Sequence, residues 1–142
     1  MSVTYTQANS IISAKFVTDW ATAGRTEDLI LPNDSYTPPD PPIASYVTYN
    51  LVGLRGDPES IGLSGNRRFD RDNQMVVEIY TPLANGDSYT GNLLAQTVID
   101  IFESKKENEI WYKTAFSKEV GNIDDKWFKY IVYIDYTFTE IK

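Results

Sequence analysis

From Tyr5 to Ala23 the apolar side chains recur at helical spacing. Ile12, Phe16 and Trp20 stand four apart, with Ala8, Ile11 and Ala23 beside them, so one stripe of an amphipathic helix is apolar. Thr4 and Gln7 have the spacing of a capping box, and Gly24 can supply a left-handed stop. A short extended piece, Asp28 to Leu31, closes at Pro32-Asn33. Residues 36–43 then hold four of the seven prolines. Fixed φ angles and missing N–H donors exclude helix and central strand there, which leaves a stiff surface connector.

Further along, the period changes to two. Residues 44–54 predict a strand with Val47, Tyr49 and Leu51 on one face. Residues 55–68 carry three glycines and a proline among mixed charges and predict a long loop. Residues 69–81 predict a strand with Met75, Val77 and Ile79 on one face, and 82–92 a turn-rich connection. A second helix is predicted over 92–105, with Leu94, Val98, Ile101 and Phe102 as its stripe and Thr90 as N-cap. Lys105 and Lys106 suit the negative end of such a helix. Residues 108–120 place Ile110, Tyr112, Thr114 and Phe116 on one strand face. Residues 126–140 do the same with Phe128, Tyr130, Val132, Ile134, Tyr136 and Phe138, and leave Trp127, Lys129, Ile131, Tyr133 and Asp135 opposite. Gly121 to Asp125 is a hairpin loop on this reading. So aromatic a sheet face must be covered, and two helices are available to cover it. The expected fold is a single α+β domain over residues 1–142, a mixed or antiparallel sheet packed against two main helices in the order α-β-β-β-α-β-β, with long inter-strand loops.

Composition narrows the chemistry. With 42% hydrophobic and 13% aromatic residues the chain can bury a core. It has no cysteine, hence neither disulfides nor thiolate metal ligands, and no histidine, hence no Ser-His or Cys-His arrangement. Thirteen basic and twenty acidic side chains give a net charge of −7, which repels phosphate backbones at long range. Within 55–72, Arg55, Arg67, Arg68 and Arg71 balance Asp57, Glu59, Asp70 and Asp72, so the acidic excess lies elsewhere. The polar start MSVTYTQANS has no signal-peptide pattern, and no apolar run approaches the ~18–20 residues that span a bilayer. Assembly in a cytoplasm and no membrane partner are the expectation.

No motif for catalysis, metal or cofactor emerges. Asp70-Arg71-Asp72-Asn73 opens like a calcium loop but lacks its later ligands and its glycine. Asp124-Asp125 is an acidic pair of the kind common in hairpin loops. Gly62-Leu63-Ser64-Gly65 falls short of a nucleophile elbow and has no histidine to serve it. Arg55-Gly56-Asp57 is too short a string to specify adhesion. Partner contacts are expected instead from Arg55, Asp57, Glu59, Arg67 and Arg68 in the loop, from Pro38 and Pro39 in the connector, and from Trp127, Ile131 and Tyr133 on the mixed strand face.

The order of elements and several strings resemble the tail-terminator (tail-completion) family of long-tailed bacteriophages. The strings are an early helix with Phe16 and Trp20 near its end, Leu29-Ile30-Leu31-Pro32-Asn33, a Pro-rich run from Pro38 into a strand ending at Leu51, a return through Arg68 and Phe69 into a strand from Val76 to Pro82, and a Gly-containing turn into a helix, Gly86 to Phe102. The family's compact turn is lengthened here to Asn85–Gly91. The resemblance implies an α+β fold, no enzyme activity, and a homo-oligomeric ring, typically a hexamer, at the tail-neck junction of the virion. Such a ring binds the last ring of tail-tube protein below and a neck or head-closure protein above, and DNA passes through its lumen without specific binding. Rival readings are a neck head-closure, stopper or adaptor protein, and a carbohydrate-binding or adhesion module that uses exposed Trp and Tyr.

Overall fold

The computed structural model describes residues 3–32, 34–40, 42, 44–58, 67–83 and 88–142. Its elements are α1 (Tyr5–Thr22), β1 (Asp28–Ile30), β2 (Tyr46–Pro58), β3 (Arg68–Pro82), α2 (Ser88–Phe102), β4 (Lys105–Glu107), β5 (Ile110–Asn122) and β6 (Trp127–Ile141). The six strands form one sheet in the order β1-β2-β3-β6-β5-β4, with β1–β2 parallel and the other pairs antiparallel. The fold is therefore α+β with a mixed sheet, in the expected order plus one short strand, β4.

The sheet is built on β3 and β6, paired without a break from Arg68↔Ile141 to Pro82↔Trp127. Fifteen residues each make strands of roughly 50 Å, well beyond the usual length. Met75, Val77 and Ile79 on β3 and Tyr130, Val132, Ile134, Tyr136 and Phe138 on β6 turn to one side and are buried there. Ala8, Ile12, Phe16 and Trp20 of α1 and Leu94, Val98, Ile101 and Phe102 of α2 close over them. Phe16 joins the layers, with its ring 5.2 Å from Phe102 and 5.1 Å from Tyr49. At the start of α1 the Thr4–Gln7 capping box is formed. At its end Gly24 (φ +78) turns the chain, and Arg25 N–H and Gly24 N–H donate to the carbonyls of Trp20 and Ala21.

Several boundaries fall elsewhere than expected. Residues 55–58 continue β2 rather than opening a loop, so β2 and β3 form a hairpin paired out to Pro58↔Phe69. The second helix begins at Ser88, which puts Thr90 inside its first turn instead of at the N-cap. It ends at Phe102, because Ser104 turns left-handed (φ 58) and sends Lys105 and Lys106 into β4. Asn108 and Glu109 (φ 51 and 69) then make the tight turn into β5, a hairpin formed without glycine. On β5 a register shift between Tyr112 and Ala115 inverts the alternation. Ile110 and Tyr112 are buried as expected, but Thr114 and Phe116 turn outward and Ala115 packs on the core in their place. The turn expected across 82–92 falls partly, at 84–87, outside the described residues, as does Gly62-Leu63-Ser64-Gly65. Among the described residues no helix is long and apolar enough to cross a membrane.

Gly91 sits in the first turns of α2 with its α-carbon against the Tyr130 ring, where any Cβ would overlap ring carbons. Gly91→Ala is expected to cost about 1–3 kcal/mol by overpacking, read as a lower urea midpoint at unchanged slope.

Candidate functional site

Both helices lie on one side of the sheet, and no described element of secondary structure covers the other side. Register defines this open face row by row: Thr48, Glu78, Ile131, Lys118; then Asn50, Val76, Tyr133, Phe116; then Val52, Gln74, Asp135. Several of its polar groups have side-chain partners across strands or along β3. Lys129 Nζ stands 3.5 Å from Glu78, and the Tyr80 hydroxyl donates to Glu78 at 2.6 Å. The Gln74 amide donates to Asp135 at 3.2 Å, and the Thr139 hydroxyl to Asp70 at 2.9 Å. Between these pairs Phe116 stacks on Tyr133 with ring centroids 5.0 Å apart. Cross-strand pairing of this kind stabilises a sheet while its face stays wet.

The expected partner residues do not form one patch. Arg55 and Asp57 lie at the end of the β2–β3 hairpin, bound to each other at 2.6 Å. Arg67 exchanges backbone hydrogen bonds with Lys142, and Arg68 pairs opposite Ile141 with Nε 3.9 Å from Asp70. Glu59 falls outside the described residues. Pro38 is exposed and Pro39 half-buried in the connector, whose Tyr36 packs on Tyr46 at the opposite end of the sheet. About twelve strand residues, roughly 40 Å, separate the two ends. Ile131 and Tyr133 lie between them, half-buried on the open face.

Trp127 is a correction: it is buried (6% exposed) and not available to a partner. It belongs to a second apolar cluster on the open face with Ile30 and Tyr46, against which Tyr36 and Tyr80 pack. Its ring meets Tyr46 edge-on at 5.1 Å, and Tyr46 stacks on Tyr80 at 4.7 Å. The connector clamps this cluster through the Tyr36 hydroxyl, which donates to Asp28 at 3.0 Å. Burial and the Asp28 carboxylate together push the Tyr36 phenol up to about 12. Asp124, half of the expected acidic pair, accepts from the backbone N–H groups of Lys126 and Trp127 at 2.8 and 3.0 Å and so shapes the β5–β6 turn.

At the hairpin end a groove of about 500 Å³ is lined by Asp57, Asp70, Asp72, Trp111 and Lys113 among others. Three of its carboxylates already have partners: Arg55 for Asp57, the Thr139 hydroxyl for Asp70, and Lys113 at 3.9 Å for Asp72. The Asp70-Arg71-Asp72-Asn73 string is plain β3 strand, and no described group of three or more acidic side chains is arranged to hold a metal ion. On the helix side Arg71 lies over Gly56 and pairs with Glu140 at 2.8 Å, between the rings of Phe69 and Tyr5. Sequence reasoning also passed over Lys15. It is buried against Phe102 and Tyr112, with its ammonium 2.7 Å from Asp19 and 3.0 Å from Glu107. Burial pulls this ammonium down, the two carboxylates outweigh it, and the group ends above its usual range. An i, i+4 Lys-Asp pair gives no sign that the lysine is buried; only the position of Glu107 on β4 shows it.

Two outcomes follow. Trp127→Ala is expected to lose about 3–5 kcal/mol of stability, while Ile131→Ser on the half-buried open face loses less than about 1 kcal/mol, both by urea unfolding. Because the fold raises the Tyr36 phenol, its contribution to stability is complete below pH 10 and is lost as pH rises from 10 to about 12. Tyr36→Phe should flatten the stability-pH curve across that window.

No protein-family model and no curated protein matches the chain. In shape it is similar to a solved structure of a protein whose name carries no functional word, with a TM-score of 0.62 over 91% of this chain and 94% of that one at 18% identity. At that identity the likeness speaks for the fold alone.

Proposed function

We propose that the protein is a structural virion component, a phage tail terminator whose copies form a ring that caps the tail tube, stops its growth and presents the head-joining surface. The observation that carries the reading is the agreement of the family-like strings with the elements they would need. Phe16 and Trp20 end a docked first helix, Leu29 and Ile30 lie on β1 before Pro32, the connector leads into β2, and Phe102 closes α2 against Phe16. A β2–β3 hairpin whose β2 half is exposed from Val52 to Gly56 supplies a natural arm toward a neighbour. On this reading the protein works through surfaces, in keeping with the pairing of Arg55 with Asp57 and of the Thr139 hydroxyl with Asp70. A chain of net charge −7 around a conduit would repel passing DNA phosphates rather than hold them.

One observation favours a second reading. Trp111 stands exposed beside this groove of mixed charge, an arrangement that suits a carbohydrate-binding module. A neck adaptor or stopper would share the ring and differ in what it touches.

The test is the mass of the purified protein in solution, alone and mixed with a tail-tube protein. A ring of about six copies that caps tubes and halts their elongation is the expected result. A monomer indifferent to tubes that binds on a glycan array would replace this reading with the carbohydrate-binding one.

A further inference from the structure

Among the described residues, each lateral edge of the sheet is only partly paired. On one side β1 pairs only with Tyr46 to Thr48, and the chain at Leu31, Pro32 and Asp34 lies near Asn50 and Leu51. Beyond that point no described strand pairs with the outer edge of residues 52–57. On the other side β4 pairs only with Ile110 to Tyr112. The end of α2 takes the next backbone groups, since Ser104 N–H donates to the Lys113 carbonyl and Ala115 N–H to the Glu103 carboxylate. From Phe116 to Asn122 no described strand pairs with the outer edge of β5.

We propose that copies of this chain join through these edges, with residues 52–57 of β2 in one copy adding as a strand to residues 116–122 of β5 in the next. This rests on the self-assembling reading above and names the surfaces it uses. Three observations on the two edges support it.

The first is chemical need. Alternate residues of a strand direct both N–H and C=O to the same side. Ala115 donates outward, so Ser117 and Glu119 also present their backbone groups outward, away from β6. Unpaired edges of this kind recruit strands, and proteins that stay monomeric shorten, charge or cover them.

The second is exposed apolar surface on both edges. Val52 and Leu54 are 42% and 58% exposed, and Phe116 and Val120 are 53% and 44% exposed. Set along two edges that no described strand pairs, they suit burial by a partner strand better than permanent contact with water.

The third is charge. A chain at −7 repels its own copies, yet the two edges are neutral. Arg55 balances Asp57 on one, and Lys118 balances Glu119 on the other. The edges therefore meet without the like-charge cost that acidic surfaces would impose. Because they lie on opposite sides of one sheet, each copy offers one of each. The contact is heterologous, and repetition closes a ring when the rotation per copy allows.

The experiment uses the full chain, alone and with tail-tube protein. Ser117→Pro removes an outward N–H and places a ring in the partner's path, without touching the β5–β6 ladder. It is expected to abolish assembly by mass while the circular dichroism spectrum stays unchanged. Since the chain has no cysteine, single cysteines placed along 52–57 and along 116–122 and mixed pairwise give a second measurement. Disulfides between copies should form at alternate positions, the period-two signature of strand pairing, and should not form within either variant alone. If Ser117→Pro fails to fold, the cysteine pattern decides. Normal assembly of folded Ser117→Pro, or assembly with no cross-links between these edges, overturns the edge proposal and leaves the ring standing. A wild-type protein that stays monomeric with and without tubes overturns both.

Discussion

The unbroken pairing of β3 with β6 is the constraint from which the rest of the molecule follows. Two strands of fifteen residues create a ribbon whose helix-facing side carries Met75, Val77, Ile79, Tyr130, Val132, Ile134, Tyr136 and Phe138. Dispersion and burial of these side chains are the main return on ordering the chain, and they are available only if something covers the ribbon. α1 and α2 do so over its middle, where Phe16, Phe102, Tyr49 and Tyr112 interlock. A helix of eighteen residues spans about 27 Å, against roughly 50 Å of strand, so the helices cannot cover the whole length. The hairpin end is finished differently, with Arg71 sandwiched between Tyr5 and Phe69 and tied to Glu140. At the other end the connector folds Tyr36 over the open-face cluster around Trp127.

This division explains what was legible in the sequence. Period-four and period-two apolar patterns report burial against a single core, and they located α1, α2, β2, β3 and β6 with the correct inward faces. They could not report the register shift that turns Phe116 outward, since Ile110, Tyr112, Thr114 and Phe116 alternate without interruption and the extra residue shows only in the pairing with β6. Nor could they report that Trp127 has a second, smaller core of its own, because its neighbours Ile30, Tyr46 and Tyr36 come from distant parts of the chain. Arg55 to Pro58 look like turn chemistry, yet they extend β2 because β3, held on its other side by β6, continues alongside and offers hydrogen bonds that override the local preference.

The expected partner residues stand out in the sequence by charge, by place in a loop or connector, or on a mixed strand face, and three-dimensional placement rearranges them. Arg55 and Asp57 satisfy each other, Arg67 and Arg68 belong to the end of the sheet, and Trp127 is structural. Val52 and Leu54 lie on one edge that no described strand pairs, Phe116 and Val120 on the other, and none of them came from a segment that looked like a binding site.

The open face and the open edges ask for different partners. On the face, Glu78 with Lys129, Gln74 with Asp135 and Asp70 with Thr139 are already matched, so drying it would strip water from paired charges with no new hydrogen bonds in return. On the edges, backbone groups lack a described strand partner and exposed apolar side chains flank them, so adding a strand satisfies the first and buries the second. The edge pairing proposed above would leave the matched polar pairs of each copy's open face in water.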